Sequence, residues 1–349
     1  MLRREIFYTL SVRGGSPGGL RPGVTQWRDE MKTLKRMMIA LLALLPLVAG
    51  TTFGDTEDGY SRMFIFGASL MDPGNHFAVT GETAHPPFEL IPFANYGVGG
   101  HRPTDGHTWV EVLAQEMGLT QWAKPAYRNP VFGNYAFSYA RAREVEPDAF
   151  EPSLFDQVQA WKDNGYCTGD PMNPMNDTLF IMDSGYRDAL DLLMTSDEDE
   201  KNAIIQGWVG SIAANIHALY LCGAHNVLVA YMPDMAGPIV PPEGKAKATA
   251  ASAMFNYMLL QPVIDAYADE PFSMNISAVD FFAYSLFLKS DPGAFGFTNV
   301  TDSCITPYVT SGAFCKNRDE HFWWDALHPT KKVHALLGEF ALGQLPIPD

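Results

Sequence analysis

The chain has 349 residues, 47% of them apolar, and a formal charge of −16 at pH 7. That apolar share is enough for a large core, and the acidic excess repels nucleic acid and anionic lipid head groups. The first fifty residues hold eight Lys/Arg and three Asp/Glu, so the remaining 299 carry −21.

Residues 1–30 are rich in Gly, Pro and Arg, show no periodicity, and read as a mis-assigned start or a disordered extension. From Met31, a basic cluster (Lys32, Lys35, Arg36) precedes an apolar run, Met37 to Ala49. A bilayer span needs about 20 apolar residues, so this run is too short to cross one. A basic start, a short apolar middle and small residues at the end read as a secretory signal over 31–50, cleaved after Gly50. The expected destination is secreted or periplasmic, with no stable membrane span after signal removal. Residues 51–349 contain no Pro/Ser-rich linker, repeat or composition break, so a single domain is expected.

Within it, short apolar runs predict strands at Met63–Phe66, Leu179–Met182, Val227–Tyr231 and Ile276–Val279, with a weaker one at Tyr135–Phe137. Helical patterns lie between them at Thr108–Met117, Ile204–Leu221, Lys245–Ala268 and Lys331–Leu342. In the second helix Ile205, Trp208, Ile212, Ile216 and Leu219 recur at helical spacing, and Gly223 marks its stop. Such alternation predicts a parallel sheet covered on both faces, with functional residues at the carboxyl ends of its strands. Met254, Tyr257 and Met258 read as a core stripe of the third helix.

Cys167, Cys222, Cys304 and Cys315 all follow the signal. An even count in an exported protein suggests two disulfides, and four cysteines allow three pairings. Cys304–Cys315, closing a short loop, is favoured, which leaves Cys167–Cys222. Glycosylation sequons begin at Asn176, Asn275 and Asn299.

Two short motifs carry chemistry. In Phe66-Gly67-Ala68-Ser69-Leu70-Met71-Asp72-Pro73-Gly74-Asn75, Ser69 sits where a strand turns into the next element. A serine there exposes its hydroxyl, and nearby backbone N–H groups face whatever charge develops on its adduct. Taken alone, it is as readily a helix cap. In Trp324-Asp325-Ala326-Leu327-His328-Pro329-Thr330, an acid three residues before a histidine can orient its ring, and Pro329 can start the last helix.

Together the two motifs resemble the GDSL/SGNH family of esterases and lipases. Arg102 to Glu111, Asn134 to Ala140, Leu219 to Ala224 with Pro233, and Phe295 to Cys304 are similar to further family segments. The resemblance implies an α/β fold, a three-layer α/β/α sandwich with a mainly parallel central sheet. It implies an acyl-serine intermediate with Ser69 as nucleophile, His328 as base and then acid, and Asp325 as orienting acid. It also implies an oxyanion hole made by the nucleophile's own N–H, a glycine N–H and an asparagine. Here Ser138 and Tyr139 replace the glycine pair, and Arg187 stands where the asparagine would be. The oxyanion candidates are therefore Ser69, Ser138, Tyr139 and Arg187, with Arg187 equally readable as an ion-pair residue. Ala68 replaces the aspartate of G-D-S-L, normally a support residue.

No G-x-S-x-G, phosphate loop, CxxC or metal spacing occurs, so no cofactor or metal is expected. The expected partner is a small-molecule or lipid acyl ester. Carbohydrate deacetylation and acyl transfer are alternatives on the same site. A non-catalytic binding protein on a hydrolase scaffold is the alternative of another class.

Overall fold

A computed structural model describes residues 59–81, 100–144, 151–183, 185–305 and 314–347. The segments 1–30 and 31–50 lie outside the described residues. Strands β1 (Arg62–Phe66), β2 (Thr178–Asp183), β3 (Asn226–Ala230) and β4 (Asn275–Val279) form one sheet in that order, every pair parallel. The helices are α1 (Asn75–Thr80), α2 (Trp109–Glu116), α3 (Leu154–Asp163), α4 (Tyr186–Met194), α5 (Glu198–Leu221), α6 (Lys245–Met254), α7 (Gln261–Ala268), α8 (Phe281–Ser290) and α9 (Lys331–Leu342). A two-stranded pair, β5 (Asn299–Ser303) and β6 (His321–Trp323), precedes α9.

The strand residues divide between two cores by alternation. Phe64, Phe66, Phe180, Met182, Val227 and Val229 face one core, with Trp161 of α3 and Trp208, Ile212 and Ile216 of α5. Met63, Ile65, Leu179, Ile181 and Leu228 face the other, with Trp109 of α2, Phe281 of α8 and Leu337 of α9. Both faces being covered explains why these strands read as unbroken apolar runs.

The expected strands stand to within a residue or two, and α9 spans the expected residues. The Tyr135–Phe137 run is not a full strand. It follows β1 as an edge, with Tyr135 donating to the carbonyl of Ile65 and Phe137 to that of Gly67. Helix α5 starts six residues earlier than its apolar pattern. The Asp197 carboxylate caps it, accepting from Asp199 and Glu200, and its acidic first turn suits the positive end of the helix dipole. Gly223 beyond its end has φ 86°, the left-handed conformation of a helix stop. Pro329 does not begin α9; it precedes the cap residue Thr330.

The expected core stripe of the third helix is overturned. Met254, Tyr257 and Met258 are not core: they are 46%, 43% and 69% exposed. A π-turn over Phe255–Leu260 separates α6 from α7. Its wider winding rotates the following residues, so Phe255, Asn256 and Leu260 go inward instead. Phe255 stacks on Trp208, ring centres 3.7 Å apart.

Both favoured disulfides are present, Cys167–Cys222 and Cys304–Cys315. Among the described residues no helix is long and apolar enough to cross a membrane.

His334 on α9 is fully buried, and its Nδ1 accepts from the Trp109 N–H at 3.1 Å. Burial, with His328 adding repulsion, pushes its pKa down from 6.5 to about 3. The unfolded chain therefore binds this proton more readily than the fold does. The stability from keeping the ring neutral is complete above pH 6.5 and is lost as pH falls toward 3. His334→Gln is expected to flatten the melting temperature's dependence on pH across that window. A melting series from pH 7 to pH 3.5 checks it; an unchanged slope refutes it.

Candidate active site

Ser69 lies in the turn after β1, and the motif around it explains the turn's shape. The Asp72 carboxylate accepts from the N–H groups of Gly74 (2.7 Å), Asn75 (2.5 Å) and His76 (3.2 Å), starting α1. The Asn75 side chain donates to the carbonyls of Asn134 and Ala136 and accepts from the Tyr127 N–H. Asn134 donates to the Met71 carbonyl in return. The motif thus stitches the serine's turn to the 134–138 edge with buried, mutually satisfied polar groups.

The second motif is a tight turn closed by its own acid. Asp325 Oδ1 accepts from the N–H groups of Leu327 (2.8 Å) and His328 (2.7 Å). The same carboxylate meets His328 Nδ1, at 3.0 Å from Oδ1 and 2.8 Å from Oδ2. A spacing of three works because the backbone folds back by one turn. Asp325 is 1% and His328 4% exposed. The contact assigns the ring proton to Nδ1 and leaves Nε2 as the basic atom.

Leu70, next to Ser69, and Leu327 and Pro329, flanking His328, line one cleft with Tyr186, Asp234 and Trp323. Its enclosed part has room for about one or two water-sized groups and is mostly apolar. Asp234 is 4% exposed and pairs with Lys289 at 2.5 Å. Burial first, then the charges of Asp325 and Asp234, raise the Tyr186 phenol and keep it neutral.

Two of the four oxyanion candidates are engaged elsewhere. The Ser138 N–H and hydroxyl both donate to Asp72 Oδ2, at 2.8 and 2.7 Å, so its backbone donor is spent on the motif. Arg187 pairs along its own helix with Asp191, 3.3 Å away. It belongs to a cluster in which Arg141 and Arg143 also grip Asp191 and Arg143 grips the buried Asp188. Burial, then the neighbouring Arg141, lowers the pKa of Arg187. Arg187→Ala is expected to change kcat by less than about tenfold, short of the about 10²–10³ that a lost oxyanion donor costs. Steady-state rates on a p-nitrophenyl ester decide; a loss in the larger range restores Arg187 to the hole.

Tyr139 has φ 68°, in the left-handed region that favours glycine. Its ring lies edge-on to His76, 5.5 Å between centres. Trp324 is fully buried and stacks on Phe314, while Trp323 is cleft wall. Among the described residues, no cluster of three His, Cys, Asp or Glu side chains could hold a metal ion.

Two side chains that sequence reasoning passed over hold the serine's turn from below. Gln157 of α3 accepts from the Gly67 N–H at 2.7 Å and donates to the Gly67 carbonyl at 3.0 Å. Asp183 ends β2 beside Gly67. An acid closing a buried apolar strand at its carboxyl end was the available signal for it. Gln157 gave none, being one polar residue among several in its helix.

A serine in the turn at the carboxyl end of a parallel sheet, with a buried Asp–His pair whose flanking residues share a cavity with the serine's neighbour Leu70, fits an α/β/α serine hydrolase. Residues 63–341 match the family described as GDSL-like Lipase/Acylhydrolase, and the chain belongs to it. It is an enzyme that hydrolyses ester bonds. Three Arabidopsis thaliana proteins named as GDSL esterases/lipases are similar to it over nearly their whole lengths. One is 20% identical over 90% of this chain and 98% of its own. The others are 24% identical over 79% and 85%, and 23% identical over 80% and 86%.

Proposed function

We propose that the protein is an exported carboxylic-ester hydrolase working through an acyl-serine intermediate with Ser69, His328 and Asp325 as its triad. The buried Asp325–His328 contact at 2.8 Å carries this reading, with the residues flanking His328 lining one cavity with Leu70, the residue after Ser69. His328 Nε2 takes the Ser69 proton as Oγ attacks the ester carbonyl. It then delivers that proton to the departing alcohol. Water enters by the same route, losing its proton to Nε2, and releases the acid. Asp325 keeps its proton off and its charge on, holding the ring and stabilising the imidazolium. The oxyanion is assigned to the N–H groups of Ser69 and Tyr139.

Reaction with a fluorophosphonate probe tests the assignment: labelling that vanishes in Ser69→Ala supports it, and undiminished labelling overturns it. Asp325→Asn is expected to lower kcat by about 10⁴, less than loss of the nucleophile. Hydrolysis of p-nitrophenyl acetate by that variant checks the figure.

Deacetylation of a carbohydrate, which the same triad could perform, is the second reading. A series of p-nitrophenyl esters from acetate to palmitate distinguishes this from long-chain lipase activity. Export rests on the signal reading of residues 31–50 and on two disulfides, which persist in oxidising compartments. N-terminal sequencing of the exported protein should begin at Thr51.

A further inference from the structure

We propose that Asp183 is the positioning residue of the nucleophile, clamping the Ser69 turn to the start of α4 in place of the acid missing at Ala68. This rests on the triad reading above. The β1–β2 register pairs Phe66 with Met182, so the next residues on each strand, Gly67 and Asp183, lie side by side. A Cβ on Gly67 would sit 2.3 Å from Asp183 Cβ, so the strand ends approach this closely only because residue 67 has no side chain. Asp183 is 6% exposed. Its carboxylate accepts from the Gly185 N–H at 2.5 Å and feels the nearby backbone N–H groups of Ala68 and Tyr186.

One carboxylate thereby joins two loops. Ala68 immediately precedes the nucleophile, and Gly185 and Tyr186 open the helix whose first residue walls the cleft. Gln157 holds Gly67 at its N–H and carbonyl, and Phe137 donates to that carbonyl as well. With Asp183 packed against Gly67, rotation at residue 67 would break these buried hydrogen bonds or drive the backbone into the Asp183 side chain. That rigidity is what a nucleophile at attack distance requires.

A carboxylate so close to a forming oxyanion would oppose it if left bare. Three N–H groups spread its charge, much as a helix start binds an anion. Burial raises the Asp183 carboxyl from its usual range, and these N–H groups act against that rise. The G-D-S-L position can therefore be alanine because the supporting acid comes from the neighbouring strand.

The test is Asp183→Asn, which keeps size but turns an NH₂ toward at least one backbone N–H. Asp183→Ser is made beside it, so that one folded variant suffices. Wild type and Ser69→Ala are labelled first with a fluorophosphonate. Failure of Ser69-dependent labelling sinks the triad reading itself, and this inference with it. Given that labelling, a folded variant is expected to lose about ten- to a hundredfold in kcat on p-nitrophenyl acetate, with KM unchanged and a matching fall in labelling rate. Unchanged kcat, or a rise in KM alone, overturns the proposal. Failure of both variants to fold also overturns it, leaving Asp183 a residue of the fold only.

Discussion

Ser69→Ala is expected to lower kcat by on the order of 10⁶, the largest effect of any single substitution here. The loss is that large because the remaining parts cannot substitute for a nucleophile. His328 keeps its orientation from Asp325, but a water in the serine's place lacks the fixed position that the turn supplies. His328→Ala should cost about as much, because members of a triad act as a unit and their losses do not add. Neither change should unfold the protein. Ser69 is small, and the turn is held by its neighbours Gly67 and Ala68 rather than by its hydroxyl. Kinetics on p-nitrophenyl acetate beside thermal melts give both numbers. Residual turnover within about a hundredfold of wild type would exclude the covalent route.

The second large effect is on stability. Replacing Cys167 and Cys222 by Ala opens a cross-link 55 residues apart in sequence, which the chain-entropy account values at about 4 kcal/mol. For a domain of this size that is roughly 10 °C in melting temperature. Activity per folded molecule should be unchanged. The bridge lies before the amino ends of β2 and β3, the sheet end opposite Ser69. The Cys304–Cys315 bridge should behave in the reverse sense. It closes a separation of 11, worth about 3 kcal/mol on the same account. Yet Ile305 beside it donates to the carbonyl of Trp324, next to Asp325, so its loss should reach kcat. Melting curves and kcat for the two double variants separate the cases. Equal losses of activity would show that the bridges are not divided in this way.

The sheet was legible because its strands are buried on both faces and therefore uniformly apolar. The catalytic pair was legible because Asp-x-x-His is a local turn, complete within four residues. What stayed hidden depends on through-space partners. The Ser138 amide looked available until Asp72, 66 residues away, was seen to take it. Arg187 could be either donor or ion-pair residue until Asp191, Arg141 and Arg143 were placed around it. The slip at Phe255–Leu260 left no mark, because a helical pattern with one residue too many in a turn looks like an ordinary helix. Asp183 matters through a neighbouring strand, and register is not a property of one segment.

The segments that hold the two halves of the site together are far apart in the chain. Thr104 Oγ1 donates to the Pro329 carbonyl, the Lys331 N–H to Asp105, and the Trp109 N–H to His334, across separations of 225 or 226 residues. During synthesis, then, Ser69 exists long before His328. A nascent chain lacking only its last few dozen residues would own Ser69, the sheet and most of the core, yet not the Asp325–His328 pair. Such long-range closure also slows folding, because the loop entropy must be met before the contacts repay it. With the proposed triad, hydrolysis is the last property the molecule acquires, and its onset marks completion of the fold rather than a stage along the way.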